Sequence, residues 1–358
     1  MRKPATLFTL LRRLAPSGGA RTRADAALKT VRLLATGGTI AGAGEGSSVS
    51  YRAGVVPIGA ILRAVPGLDA VAKVSAEQVA NVGSEDVDQS IWLTLLGRIR
   101  VALADPEVAG IVITHGTDTL EETAYFLSLV LPSAKPVVVV GSMRPGTATS
   151  ADGPENLLDA LRVASADEAC DRGTMVVMND TIFDPEMVTK VDVRRVNAFA
   201  APSRGPIGDV LTGRPRFFAD ATPHDAAFPV VGPAWPRVAI AYAYAGFQGD
   251  DVRAAANGAE ALVIAGVGAG SFSAGARQAV KALTARGIPV VRTGRQGMGD
   301  VWFNPPSMGD MSDAALGTIA GRELPPAKAR ILLLLALQTP RSREELQSLF
   351  DRYGAGGR

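Results

Sequence analysis

Two short polar stretches hold the side chains best suited to chemistry. Thr36-Gly37-Gly38-Thr39 follows the aliphatic run Val31 to Ala35, and Thr114-His115-Gly116-Thr117-Asp118-Thr119 closes the run that begins at Gly110. Paired glycines let a chain turn sharply and bring backbone N–H groups against a ligand. Taken alone, T-G-G-T fits a structural turn as well as an active-site loop, and neither G-x-x-x-x-G-K-[ST] nor G-x-G-x-x-G occurs in it. The second stretch invites a Thr, His and Asp triad. A histidine inside a tight turn is more often a structural hydrogen-bonder, and a base must reach the proton it takes, so His115 is expected to be structural. Asp118 has an ordinary reading as a residue favoured near a helix N-terminus.

These stretches need strands and helices to position them. Short β-branched or aliphatic runs, most of them uninterrupted by polar residues, stand at Val31 to Ala35, Gly110 to Thr114, Pro136 to Val140, Met175 to Met178, Arg237 to Tyr242, Ala261 to Ala265 and Pro289 to Arg292. Such runs predict parallel strands covered on both faces, and helical segments alternate with them, which predicts an α/β architecture with ligands beyond the strand ends. Thr119 to Glu122 has the spacing of a capping box, and Asp152 to Glu155 repeats it. Both predict helix starts, which would put His115 to Asp118 and Ser142 to Ser150 at positive helix ends.

Length and composition bound the rest. At 358 residues, two domains are the expectation, and 47% hydrophobic with 20% charged residues is a globular balance. A net charge of +2 gives no electrostatic footprint for nucleic acid or an anionic membrane, so small-molecule partners are expected. One cysteine, Cys170, and two histidines, His115 and His224, leave no set for a structural zinc, so chemistry must run on hydroxyls, carboxylates, lysine and backbone amides, with no metal or cofactor. The longest apolar run, Ile331 to Leu337, is too short to cross a bilayer. Residues 1–30 are basic with a short apolar stretch closed by Arg12 and Arg13; they read as a flexible extension rather than a signal peptide. Gly, Pro and Phe are scattered without periodicity between about Gly205 and Pro236. The expected organisation is therefore a first domain at 31–212, a linker at 213–235 and a second domain at 236–358, with Gly354 to Arg358 a frayed end.

Three stretches together, A-T-G-G-T-I-A-G at 35–42, I-T-H-G-T-D-T-L-E-E-T-A at 113–124 and S-A-D-G-P-E-N-L at 150–157, resemble the bacterial-type L-asparaginase and glutaminase-asparaginase family. The resemblance runs from about Val31 to Tyr353. It implies a larger amino-terminal α/β domain with a mostly parallel sheet and a smaller carboxy-terminal α/β domain. It further implies a homotetramer built as a dimer of dimers, each active site lying between the amino-terminal domain of one subunit and the carboxy-terminal domain of its neighbour.

The same resemblance implies roles for residues. Thr39 matches the nucleophile, which needs a base or polarising network to lose its proton. Tyr51 matches the tyrosine of a lid, here Ala41 to Gly54, whose closure would exclude water. Thr117, Asp118 and Lys190 match a second catalytic group. Ser84, Glu85 and Asp118 match positions holding the α-carboxylate and α-amino groups of an amino acid, and backbone N–H groups near Thr117 and Ser142 match the oxyanion site. The chain departs from the family pattern at Glu85, where many members carry Gln, and at Gly246 after Tyr242-Ala243-Tyr244-Ala245, where a side chain often reaches the neighbouring subunit. A glutamate contributed by the partner subunit has no clean match between Gln296 and Leu324.

The implied activity is hydrolysis of L-asparagine to L-aspartate and ammonia through a threonine acyl-enzyme. Alternatives are a broad glutaminase-asparaginase also taking L-glutamine and a non-catalytic amino-acid sensor, though a sensor has no use for a nucleophile. The expected location is the cytoplasm, with the periplasm as the alternative.

Overall fold

The computed structural model describes residues 27–44, 51–229 and 231–355. Most of the extension assigned to 1–30, residues 45–50 of the lid and the last three residues of the chain lie outside the described residues.

The first domain is built on an eight-stranded sheet. Five strands are parallel, in the spatial order Thr174–Met178, Val137–Val140, Val108–Thr114, Thr30–Gly37 and Lys73–Val82. Their aliphatic residues alternate between two cores. Leu34, Ile111, Ile113, Val137 and Val139 face the helices Gln89–Ala104 and Leu120–Val130, while Leu33, Ala35, Val112, Val138 and Val140 face Ile58–Ala64 and Gly153–Ser165. Burial on both faces is why these strands read as unbroken aliphatic runs. The chain leaves Thr30–Gly37 to form one neighbour, Lys73–Val82, and then returns to form the other, Val108–Thr114. The order therefore reverses between Thr30–Gly37 and Val108–Thr114, which opens a crevice beyond their carboxyl ends.

Three antiparallel strands complete the sheet: Thr181–Phe183, Gly208–Leu211 and Arg214–Phe217. Regular structure thus continues into the stretch 213–235 read as a linker. The hairpin escapes a periodicity search because it is short, contains Pro215 and lies at the sheet edge. Lys73–Val82 was also not anticipated. It forms the opposite edge and keeps Lys73, Ser75, Ala76 and Asn81 exposed.

The second domain has four parallel strands, Val238–Tyr242, Ala261–Gly266, Val290–Gly294 and Ile319–Ala320. Gly249–Ala256 and Ala274–Thr284 cover one face, and Pro326–Ala336 covers the other. Pro326–Ala336 is also packed against Leu120–Val130 of the first domain, so one continuous core crosses between the domains. Ile331 to Leu335 are all buried, each contributing about 1.5 to 3 kcal/mol relative to exposure. Among the described residues, no helix is long and apolar enough to cross a membrane.

Both expected capping boxes mark helix starts, but neither side chain caps its helix. Thr119 Oγ1 donates instead to Ser84 O at 2.7 Å. Asp152 accepts from the N–H groups of Met143 and Arg144, both at 2.9 Å. In each case a loop from elsewhere in the chain takes the polar group.

Candidate active site

Gly37 and Gly38 have φ of 109° and 77°, and Gly38 has ψ of −171°, angles open to glycine but strained for other residues. They carry the chain from the first strand into the 3-10 turn Thr39–Ala41. Gly38 N–H donates to Val82 O at 2.8 Å, tying this turn to the neighbouring strand. Thr39 is buried, and its Oγ1 lies 2.9 Å from the Tyr51 hydroxyl. Tyr51 comes from a small ribbon pairing Ala43–Gly44 with Tyr51–Arg52. A Cβ on Gly42 would fall 2.9 Å from Tyr51 Cδ2, so glycine gives the ring its seat against the backbone.

In the loop after the neighbouring strand Val108–Thr114, Thr117 Oγ1 accepts from Lys190 Nζ at 2.8 Å and Asp118 Oδ1 accepts from it at 2.6 Å. An ammonium donating to a hydroxyl oxygen favours that hydroxyl's anionic form, and so can help it pass a proton. The Lys190 side chain is 14% exposed and that of Asp118 is 68% exposed, so the pair faces outward from a buried stem. Lys190 lies in Thr189–Lys190, paired with Phe199–Ala200. The Glu121 carboxylate accepts from Lys190 N–H at 2.6 Å and from Thr189 Oγ1 at 3.2 Å.

Ser84 sits at the carboxyl end of Lys73–Val82, where its Oγ accepts from Asp118 N–H at 3.2 Å. Glu85 is exposed, its carboxylate lying back over Gly83. Ser142 follows Val137–Val140 and is fully buried; its hydroxyl donates to Arg144 O at 2.8 Å. The structure therefore gathers Thr39 with Tyr51, and Thr117 with Asp118, Lys190 and Ser84, while the Ser142 hydroxyl is engaged within its own loop.

His115 has a tautomer fixed by its partners. Gly116 O can only accept, so Nδ1 donates to it at 2.8 Å. Trp92 Nε1 donates to Thr123 Oγ1, leaving that hydroxyl to donate to His115 Nε2 at 2.9 Å. Burial holds the imidazole pKa down to about 4, against a weaker opposing effect of the bond to Gly116. His115 is a neutral structural bridge, as its place in a tight turn suggested.

Glu121 and Lys328 were not foreseen in the sequence. Glu121 was visible only as one of two acidic residues at a helix start. Lys328 had a readable signal: a cation three and four positions before Ile331 and Leu332, in a helix otherwise rich in apolar residues. Among the described residues, no three His, Cys, Asp or Glu side chains gather as a metal ion would require.

Hydroxyls, an ammonium and a carboxylate gather beyond the carboxyl ends of parallel strands in a two-domain α/β protein, the place where such sheets bind their ligands. The model for the family "Asparaginase, N-terminal" matches residues 30–223, and that for "Glutaminase/Asparaginase C-terminal domain" matches 237–350. L-asparaginase 2 of Bacillus subtilis is 43% identical over 337 residues, covering 91% of this chain and 87% of the relative. The glutaminase-asparaginase of Acinetobacter glutaminasificans is 39% identical, with 90% and 99% covered. A Campylobacter jejuni structure named "Probable Cytoplasmic L-asparaginase" superposes with a TM-score of 0.84 at 37% identity, covering 91% of this chain and all of that one. The chain belongs to the asparaginase and glutaminase-asparaginase family of amide hydrolases.

Proposed function

We propose that this protein hydrolyses the side-chain amide of L-asparagine to L-aspartate and ammonia through an ester on Thr39. The supporting observation is that Lys190 Nζ donates to both Thr117 Oγ1 and Asp118 Oδ1 in the loop after one parallel strand, while Thr39 pairs with Tyr51 in the loop after the neighbouring strand, the two loops meeting where Gly38 packs on Gly116. Thr39 Oγ attacks the amide carbon and its proton passes to Tyr51 or to the Thr117–Lys190 group. The C–N bond then breaks and ammonia leaves with a proton. Water attacks the ester, releases aspartate and restores the Thr39 hydroxyl. Backbone N–H groups near Thr117 and Ser142 stabilise the oxyanion, donors of this kind contributing about 2.7 to 4 kcal/mol each. Ser84 holds the substrate carboxylate; Asp118 and Glu85 hold its ammonium. Conversion of Thr39 to Ala, followed by an ammonia-release assay on asparagine, tests the assignment. Undiminished activity would remove Thr39 from its role.

L-Glutamine is the second substrate to consider, because relatives named glutaminase-asparaginase match this chain at 39% and 40% identity. Comparing kcat/KM for the two amides separates the readings. We also take the working form to be a cytoplasmic homotetramer. Tyr242 and Tyr244, 56% and 53% exposed at the end of a second-domain strand, offer apolar surface to another subunit. Sedimentation equilibrium and cell fractionation test the two points.

A further inference from the structure

Lys328 is a fully buried amine in the second domain, remote in sequence from every residue assigned to the chemistry. Its Nζ donates to Glu186 O at 3.1 Å and to Val188 O, reaching a segment 140 residues earlier in the chain. That segment is a single turn, closed by Met187 and Val188 N–H groups on Asp184 O and by Glu186 N–H on Asp184 Oδ1 at 2.7 Å. Two residues beyond Val188 stands Lys190.

An ammonium taken wholly out of water is costly, and a well-packed apolar side chain usually serves stability as well or better. Burial indeed depresses the Lys328 pKa, opposed by the carboxylates of Glu121, Asp184, Glu186 and Glu122. The Tyr125 ring lies 6.0 Å from Nζ on another side. What the amine supplies in return is a pair of hydrogen bonds to buried carbonyls at the base of the lysine-bearing strand. Glu121 grips the same strand from the first domain, through Lys190 N–H and Thr189 Oγ1.

We infer that Lys328 is a positioning residue, which pins the turn Asp184–Val188 from the second domain and thereby sets Lys190 Nζ on Thr117 and Asp118. The inference rests on the proposed role of Lys190 in amide hydrolysis. Its consequence is that second-domain packing sets the geometry of a first-domain catalytic group. Lys328 touches no substrate and acts only through the backbone.

Two measurements on Lys328→Met test this. The first is steady-state hydrolysis of asparagine. A small displacement of a catalytic group costs about 10²-fold in rate, so kcat should fall by about that much while KM stays within about threefold. The second is the rate at which acetic anhydride labels Lys190 relative to exposed Lys281, read by peptide mass spectrometry; it should rise in the variant. Lys328→Gln, which keeps an amide donor, should fall between wild type and Met on both. If Lys328→Met fails to fold, the Gln variant decides on the same two measures. A folded variant with a lowered melting temperature but unchanged kcat and unchanged Lys190 labelling would overturn the positioning role and leave Lys328 merely structural. If labelling changes but wild type releases no ammonia from asparagine, positioning stands and the asparaginase reading falls.

Discussion

Gly38 and Gly116 meet backbone to backbone. A Cβ on Gly38 would lie 2.8 Å from the His115 carbonyl carbon and closer still to Gly116 itself, and a Cβ on Gly116 would lie 3.0 Å from Gly38 Cα. The two polar stretches therefore share one packed junction, and Thr39 and Thr117 are each one residue beyond it. Gly116 also leaves room for Ser84, whose Oγ a Cβ there would approach to 2.8 Å.

Gly38→Ala should disable the site while leaving the fold largely formed. Its φ and ψ fall in a glycine region, at a strain cost of about 1 to 3 kcal/mol for alanine. Separation of the two loops should lower kcat/KM by about 10²-fold or more. Thermal melting and steady-state kinetics on the same preparation check this.

Lys190→Met should lower kcat for asparagine by about 10² to 10⁴-fold, the range for losing a proton-handling group. Lys281→Met, which alters an exposed lysine of the second domain, should leave kcat unchanged. Equal effects from the two substitutions would contradict a specific role for Lys190.

Two buried groups should pull stability in opposite directions between about pH 4 and 7. His115 titrates near 4 in the folded chain, below the ordinary 6.5, so the unfolded chain binds the extra proton and stability falls as pH drops through that window. The linked loss is ~3 kcal/mol. Asp159 is the reverse. Burial outweighs the Arg162 guanidinium and raises its carboxyl to about 7, so stability falls as pH rises from 3.8 to 7. Relative to wild type, His115→Asn should lose stability less steeply on acidification, and Asp159→Asn more steeply. Urea unfolding at about pH 4.5 and 6.5 measures both slopes.

Much of the fold was legible because burial on both faces leaves strands such as Val137–Val140 no polar residue to confuse the pattern. Legibility failed at sheet edges. Lys73–Val82 and Arg214–Phe217, the two edge strands, each have a strand on only one side, so sequence need not be apolar there. Helix starts were found at Thr119 and Asp152, but the local rule misassigned their side chains, which neighbouring loops recruit. The polar loops of the site could be seen from residue types at strand ends, and the resemblance named their members. It could not reveal Glu121 or Lys328, whose purpose lies in backbone groups that folding brings to them from far along the chain.

Trapping the covalent state is the most direct measurement. Enzyme mixed with saturating L-asparagine, quenched in acid within milliseconds and digested, should yield the peptide carrying Thr39 with an aspartyl ester on that residue. The adduct should be absent from Thr39→Ala and should decay as aspartate is released. An enzyme that turns over asparagine while every quenched sample carries an unmodified Thr39, with the ester on Thr117 or nowhere, would contradict a nucleophilic Thr39.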